Sequence, residues 1–183
     1  MVLDPLTTSA LEHGTDKARD HWYTPHYHKR FESFRDEPIT LLEIGVGGYA
    51  DPNAGGESLA MWRDYFPRAT IVGLDIHPKT LDLGERVHIE QGDITDRRVI
   101  AHLAETYGPF DVVIDDGSHM CGDVMAAWAY LWEHVSEGGW YVVEGLSGDA
   151  FSDDPTGLWR SVLRRQPSEL AFLTSHPADV EGN

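Results

Sequence analysis

The residues best suited to chemistry lie where apolar stretches of the sequence end. Asp115-Asp116-Gly117-Ser118-His119 follows one such stretch, so two adjacent carboxylates precede a histidine. Adjacent residues of an extended chain point to opposite sides, so Asp115 and Asp116 should have different roles. Asp116 and His119 are expected to converge across the turn, where carboxylates suit a cation such as Mg²⁺ and His119 suits a general base. The alternative is that these groups only cap a turn and the next helix.

Glu144 ends a further apolar stretch and is expected to lie near Asp116. Two carboxylates that converge at one edge either bind a cation or shift each other's pKa. A shared cation is the more economical interpretation.

A glycine-rich turn follows an earlier apolar stretch, and Gly45, Gly47 and Ala50 satisfy the pattern G-x-G-x-x-A. The pattern is typical of dinucleotide sites, which would favour a nicotinamide-dependent oxidoreductase. However, Asp51-Pro52-Asn53 delays the next helix to about Glu57, and a pyrophosphate needs a helix that begins directly behind the glycines. A turn without a ligand is the remaining alternative.

Two more acids follow predicted strands. Asp75 is placed to accept both hydroxyls of a ribose, in a nicotinamide or an S-adenosyl cofactor, or else to cap a turn. Asp93 is placed to hold an adenine amino group, with an N-cap of the following helix as the alternative.

Strands that alternate with helices must position these groups. The apolar patterns predict strands at 39–44, 70–75, 87–91, 110–115 and 140–144, and helices at 57–66, at 95–107 and along a stripe from Val124 to Val135. A helix near 158–163 and a sixth strand at 171–174 are weaker expectations, and Thr24-Pro25 predicts a helix with Thr24 as N-cap. This alternation predicts an α/β fold with a mainly parallel sheet, helices on both faces and ligands beyond the carboxyl ends of the strands.

Size and charge exclude several classes of function. The 183 residues suit one domain, with residues 1–36 as an N-terminal helical lid segment. A net charge of −17 argues against nucleic acid and acidic membranes as partners. The sequence shows neither a membrane span nor a signal peptide, and a single cysteine, Cys121, excludes an internal disulfide, so a cytoplasmic protein is expected.

Taken together, the motifs resemble one family. LLEIGVGGYADPNAGGESLAMWRDYFP, IVGLDIHPK, QGDITD, FDVVIDDGSH and GGWYVVEGL, with HGTDK and HWYTPHY before them, are similar to the macrocin and mycinamicin type of S-adenosylmethionine-dependent sugar O-methyltransferase. The resemblance implies a Rossmann-like class I methyltransferase domain over 37–183, often Mg²⁺-dependent, that methylates a sugar hydroxyl. It covers roughly residues 12 to 147, and short members that act on mannose oligosaccharides are the nearer match.

The resemblance also implies roles for individual residues. The catalytic base would be His119, and the metal ligands would be Asp116 and Glu144. The implied cofactor site consists of Glu43, Gly45, Gly47, Ser58, Asp75, Asp93 and Asp115, with Tyr23 and Tyr27 closing over the methionine end.

Two features depart from the family pattern. Gly145 stands where the family usually has a second acid after Glu144, so one metal ligand is missing unless Asp149 or another acid replaces it. Only 38 residues follow Gly145, which predicts a shortened C-terminal hairpin and an edge that a second copy of the chain could cover. A module that binds the cofactor without catalysis is therefore an alternative.

Overall fold

The structure, a computed structural model, describes residues 2–145 and 171–174. The strands are β1 (Thr40–Ile44), β2 (Thr70–Asp75), β3 (Val87–Gln91), β4 (Phe110–Asp115), β5 (Val135–Val143) and β6 (Ala171–Thr174). The helices are α1 (Pro5–His13), α2 (Asp16–Arg19), α3 (Thr24–Phe31), α4 (Glu57–Tyr65), α5 (Arg97–Tyr107) and α6 (Cys121–Leu131), with 3₁₀ turns at Glu32–Phe34 and Trp132–His134.

These strands form one sheet in the order β3-β2-β1-β4-β5-β6. The first five strands are parallel, and β6 pairs antiparallel with β5. The chain winds outward from β1 in both directions, so the carboxyl ends of β1 and β4 meet where the strand order reverses. Ligands bind at such a point in open α/β sheets. The predicted α/β class, the mainly parallel sheet and the sixth strand at 171–174 are confirmed.

Two apolar layers cover the sheet because successive strand residues face opposite sides. Leu41 belongs to the core beneath α1, α3 and α4, whereas Leu42 belongs to the core beneath α5 and α6. The first core contains Tyr27, Phe31 and Trp62, whose rings contact one another. Helices on both faces therefore hold the strand ends in a fixed arrangement.

The N-terminal segment is part of the first core. Leu6 and Ala10 of α1 are fully buried, and His13 Nε2 lies 2.7 Å from Asp64 Oδ2 on α4. The segment is helical, as the sequence indicated, and it packs against the sheet. Its role as a lid remains a prediction.

Several predicted boundaries were wrong. Thr24 is the first residue of α3 rather than its N-cap, and its hydroxyl bonds the Thr7 hydroxyl at 2.8 Å. Val135 begins β5 instead of ending a helix, because the glycines near Gly138 (φ +78°) make an irregularity inside the strand. The predicted helix near 158–163 lies outside the described residues.

No helix within the described ranges is both long and apolar enough to cross a bilayer.

Candidate active site

A cavity of about 760 Å³ opens at the carboxyl ends of the strands. Thr15 and Asp16 of the N-terminal segment contribute to its wall. It is lined by these residues that the sequence predicted: Gly45, Gly47, Ser58, Asp75, Asp93, Asp116 and His119. The other predicted residues do not line the cavity and are buried: Glu43, Asp115, Glu144, Tyr23 and Tyr27.

The glycine turn begins where β1 packs directly on the segment after β4. Gly45 has φ +92°, and a Cβ there would lie 2.3 Å from the Asp116 carbonyl oxygen. Glycine is therefore required at this position for two reasons, its backbone conformation and the space available. The following helix, α4, begins only at Glu57, as the Asp-Pro-Asn insertion predicted.

Lys79 holds the loop between the glycine turn and α4. Its ammonium lies 2.5 to 3.3 Å from backbone carbonyl oxygens on that loop, which belong to Gly47, Tyr49, Asp51 and Ala54. The loop that delays the helix is thus hydrogen-bonded to Lys79, which lies in the segment after β2. No sequence motif indicated a role for Lys79.

Asp75 ends β2 and faces the cavity while it orders the backbone nearby. Its Oδ2 accepts a hydrogen bond from the Val46 N–H at 3.0 Å, and its Oδ1 accepts one from the His77 N–H at 2.8 Å. Each oxygen keeps a lone pair beyond these bonds. The carboxylate is therefore fixed in direction and still able to accept ligand hydroxyls.

Asp93 does not cap the following helix, so that alternative is wrong. Its Oδ1 accepts hydrogen bonds from the Thr95 backbone N–H and hydroxyl at 2.8 and 2.7 Å. Asp96 is the N-cap of α5 and accepts a bond from the Arg98 N–H. Asp93 lines the cavity, and its Oδ2 takes no part in the two bonds to Thr95.

Asp115 and Asp116 differ in environment, as their adjacent positions predicted. Asp115 is buried and accepts a hydrogen bond from the Tyr141 hydroxyl at 3.0 Å. Burial raises the pKa of Asp115 to about 7, although the Tyr141 bond opposes the rise. Asp116 instead lies at the cavity wall.

Glu43, Asp116 and Glu144, here called the acid corner, converge on one buried lysine. Lys17 Nζ lies 2.7 Å from Asp116 Oδ2, 2.7 Å from Glu144 Oε1 and 3.2 Å from Glu43 Oε1. Burial alone would lower the pKa of Lys17, but the three carboxylates together raise it well above the ordinary value. The ammonium is therefore charged, and it connects the ends of β1, β4 and β5.

Tyr27 also binds the acid corner from α3. Its hydroxyl donates a short hydrogen bond to Glu144 Oε1, the oxygen that Lys17 contacts. Burial and the neighbouring Glu144 raise the pKa of Tyr27 well above its usual range, so it remains a donor. Tyr23 is buried, and its ring stacks on His21 with centroids 5.0 Å apart. That either tyrosine closes over a cofactor remains a prediction.

His119 lies at the edge of the cavity, over Gly145. Its Nε2 is 3.8 Å from Asp116 Oδ1, so the predicted convergence of these side chains is present. A Cβ on Gly145 would lie 2.4 Å from His119 Nδ1, and Gly145 has φ +66°. The imidazole therefore fills the space that a side chain at position 145 would need.

The acid corner has part of what a magnesium site requires. Its carboxylates are suitable ligands for a hard cation, and Lys17 contacts only one oxygen each of Asp116 and Glu144. Position 145 offers no ligand, and no cluster of three or more potential ligands within one metal's reach occurs in the part of the chain that is described. Asp116 and Glu144 thus fit two positions of a coordination shell that water or acceptor oxygens would complete.

Comparison with known proteins then decides the relationship. The chain is 48% identical over 152 residues to mycinamicin VI 2''-O-methyltransferase of Micromonospora griseorubida, an alignment that covers 79% of this chain and 38% of that protein. It is 47% identical over 141 residues to 8-demethyl-8-alpha-L-rhamnosyl tetracenomycin-C 2'-O-methyltransferase of Streptomyces olivaceus, which covers 77% of this chain and 37% of that one. The chain is homologous to the mycinamicin-type sugar O-methyltransferases. The resemblance that its motifs indicated is confirmed.

A solved structure confirms the class I methyltransferase fold. The MycE methyltransferase from the mycinamycin biosynthetic pathway, in complex with Mg and SAH, superposes with a TM-score of 0.84 at 35% identity. The match covers 100% of this chain and 57% of that one. This chain therefore spans less than two fifths of the curated O-methyltransferases it matches and somewhat more than half of MycE. No family model matches the chain.

The main site residue that the sequence did not indicate is Lys17. The residue lies in the HGTDK motif, which supported the resemblance, but the motif itself does not indicate which groups a lysine will contact 99 and 127 residues away. Tyr141, which orients Asp115, was missed because it reads as an ordinary strand residue.

Proposed function

We propose that this chain is an S-adenosylmethionine-dependent O-methyltransferase that acts on a sugar hydroxyl of a glycoside, an oligosaccharide or a glycosylated natural product. The observation that supports this most is the single cavity that brings the glycine turn, Asp75 and Asp93 together with Asp116 and His119. The homologous O-methyltransferases, one of them named for a rhamnosyl substrate, support the choice of acceptor.

The glycine turn and the two acids would hold the cofactor. Asp75 would accept the ribose hydroxyls, and Asp93 would accept the adenine amino group. The backbone at Gly45 and Gly47, with Ser58 at the start of α4, would contact the methionine end. Glu43 and Asp115 would support this surface from behind, because both are buried next to it.

His119 would act as the general base. The acceptor hydroxyl attacks the methyl group on sulfur, so a carbon–oxygen bond forms as the carbon–sulfur bond breaks. The hydroxyl proton passes to an imidazole nitrogen, and the products are a methyl ether and S-adenosylhomocysteine (SAH). A positioned base of this kind contributes ~10²–10⁴-fold.

Asp116 and Glu144 would hold Mg²⁺, the ion present with SAH in MycE. When bound, the ion lowers the pKa of the acceptor hydroxyl. Asp116 faces the cavity and would orient the acceptor near His119.

The test is transfer of labelled methyl from S-adenosylmethionine to a panel of rhamnosides, mannosides and glycosylated macrolides. We expect labelled product with at least one glycoside and loss of most turnover after treatment with EDTA. Full activity in EDTA would refute the metal component. No transfer to any glycoside, with cofactor binding intact, would refute the enzymatic proposal.

A catalytically degenerate module that only binds the cofactor is the second candidate. It is favoured by Gly145, which supplies no side-chain ligand beside Glu144. SAH binding without turnover on any acceptor would support this candidate. An oxidoreductase is disfavoured because α4 does not begin directly behind the glycines.

The cellular compartment and the kinds of partner that we propose rest mainly on the composition of the chain. One cysteine suits a reducing, cytoplasmic compartment. The acidic charge argues against nucleic acid and anionic lipid as partners. Homo-oligomer formation through β6 is proposed because β6 is an edge strand of the sheet that residues 2–145 and 171–174 form, and an edge strand favours pairing.

A further inference from the structure

Lys17 is an unusual residue for a protein interior. Its side chain is 1% exposed, and lysine is almost never buried so fully unless it is paired. All three carboxylates of the acid corner lie within 3.2 Å of its ammonium. The ammonium therefore has three ion-pair partners within the chain, of which Asp116 and Glu144 accept its hydrogen bonds.

Both ends of the lysine are fixed by the N-terminal segment. Its backbone carbonyl accepts a hydrogen bond from the Tyr23 N–H at 2.7 Å, and the next residue, Ala18, is buried in the core. At the other end, Tyr27 donates to the Glu144 oxygen that the ammonium contacts. An ammonium held in this way needs no ligand to stay in place.

We propose that the Lys17 ammonium is a permanent cation of the acid corner. It assembles Glu43, Asp116 and Glu144 before any ligand enters, and a divalent ion that binds there adds to the ammonium instead of displacing it. Asp116 and Glu144 would hold the ion through oxygens that the lysine does not contact, since Lys17 bonds only Asp116 Oδ2 and Glu144 Oε1. Lys17 is thus a positioning residue, and its importance to catalysis rests on the proposed function. The experiments that test its position do not depend on that function.

The charges at the acid corner support addition over displacement. One ammonium faces three carboxyl groups, so when all three are ionised a net charge of −2 remains for a second cation after Lys17 has paired. Displacement would instead require the ammonium to leave a buried position where it has three partners. Asp116 is the member of the corner that reaches the cavity, and its side chain is 26% exposed, so an ion would enter from that side.

The first experiment uses the unmodified protein. Lysine residues are labelled with an amine-reactive reagent and measured by mass spectrometry, once in EDTA and once in excess Mg²⁺. Lys17 is expected to react about 100-fold more slowly than exposed Lys29 in both conditions, since it reacts only after local opening. A Lys17 rate in Mg²⁺ within a few-fold of the Lys29 rate would overturn the proposal, because the ammonium would then have been displaced.

The second experiment compares Lys17→Met with Lys29→Met, a matched change on the exposed side of α3. In EDTA the midpoint of thermal unfolding should fall by about 10 °C or more for Lys17→Met, because the buried carboxylates lose their partner, and should hardly change for Lys29→Met. Mg²⁺ should raise the midpoint of Lys17→Met by more than it raises that of the unmodified protein, since an ion then replaces the missing charge.

Equal midpoints for the two variants in EDTA would overturn the proposal. If Lys17→Met cannot be folded at all, the labelling experiment on the unmodified protein decides. Neither measurement depends on methyl transfer. Slow Lys17 labelling without activity on any glycoside would refute the proposed function alone, whereas turnover together with fast Lys17 labelling would refute this inference alone.

Discussion

At the scale of single residues, the position of His119 depends on the residue beneath it. The imidazole rests on Gly145, and Nε2 lies 3.8 Å from Asp116 Oδ1. A histidine at the cavity edge beside a carboxylate is suited to accept a proton from a bound hydroxyl. Its side chain is 45% exposed, so its removal should do little to the core.

The change His119→Ala should therefore separate binding from catalysis. We expect the turnover rate to fall by about 10²–10⁴-fold, because the proton acceptor is lost. The dissociation constant of SAH, measured by calorimetry, should change by less than about threefold, since the ribose and adenine contacts remain. Turnover at the unmodified rate would reject His119 as the base, and loss of SAH binding would assign it to the cofactor instead.

Asp115 should make stability depend on pH. Its pKa is raised to about 7 in the folded chain. Between about pH 4 and 7 the folded state therefore keeps a proton that the unfolded chain has released. The contribution of Asp115 to the free energy of unfolding falls as pH rises through this range, by up to about 1.4 kcal/mol per pH unit. Asp115→Asn stays neutral and should lack this fall.

The measurement is the free energy of unfolding in urea at pH 5 and pH 8. Asp115→Asn should gain stability relative to the unmodified protein between these values. Asp82→Asn, at an exposed site, is the control and should show no such gain. If the free energy of unfolding of Asp115→Asn differs from that of the unmodified protein by the same amount at pH 5 and pH 8, the raised pKa of Asp115 is contradicted.

At the scale of elements, the loop between β1 and α4 determines how the cofactor would be held. This loop replaces the direct strand-to-helix turn of a dinucleotide site, and Lys79 binds its carbonyl oxygens. The loop is thereby ordered before a ligand arrives, which reduces the entropy lost on binding.

Removal of this contact should weaken cofactor binding without unfolding the protein. For Lys79→Met we expect the dissociation constant of SAH to rise about 3- to 10-fold, with a change of less than about 1 kcal/mol in the free energy of unfolding. Hydrogen exchange at residues 47–54 should quicken. Lys29→Met is the matched control, and an equal effect in both variants would show that Lys79 does not order the loop.

The sequence identified the strand ends well because one-dimensional patterns determine them. Runs of apolar residues placed Asp75, Asp93 and Asp115 at their strand tips, and the topology of parallel strands then brought these tips to one edge. The start of β5 was missed because glycines often mark turns, whereas Gly138 lies inside the strand. Local patterns cannot distinguish a turn from an irregularity within a strand.

At the scale of the whole molecule, the N-terminal segment is a structural part of the fold. Its helices share a core with the sheet, and the Lys17 ammonium pairs with Glu144 in the acid corner. The sequence alone could not show this, because the pairing of Lys17 joins residues that are far apart in the chain. Composition and alternation of elements, in contrast, were enough to predict the α/β class.

Substitutions at two leucines of α1 test whether this helix is packed in the core that it shares with the sheet. Leu6 is fully buried, whereas Leu11 is 43% exposed. Leu6→Ala should lower the free energy of unfolding by about 2–5 kcal/mol because it leaves a cavity in the core, while Leu11→Ala should change it by less than about 0.5 kcal/mol. Both changes would be measured by urea denaturation. Equally small effects would show that α1 is docked loosely and does not share the core.

Calorimetric titration of the protein with SAH tests the proposed cofactor site most directly. We expect one SAH site per chain and no binding of NADH, because one cavity holds the glycine turn, Asp75 and Asp93. Asp75→Ala should weaken SAH binding by about 30-fold or more, because the acceptors for the ribose hydroxyls are lost, and Asp82→Ala should leave it unchanged. Absence of SAH binding, or equal affinity in the two aspartate variants, would contradict the account.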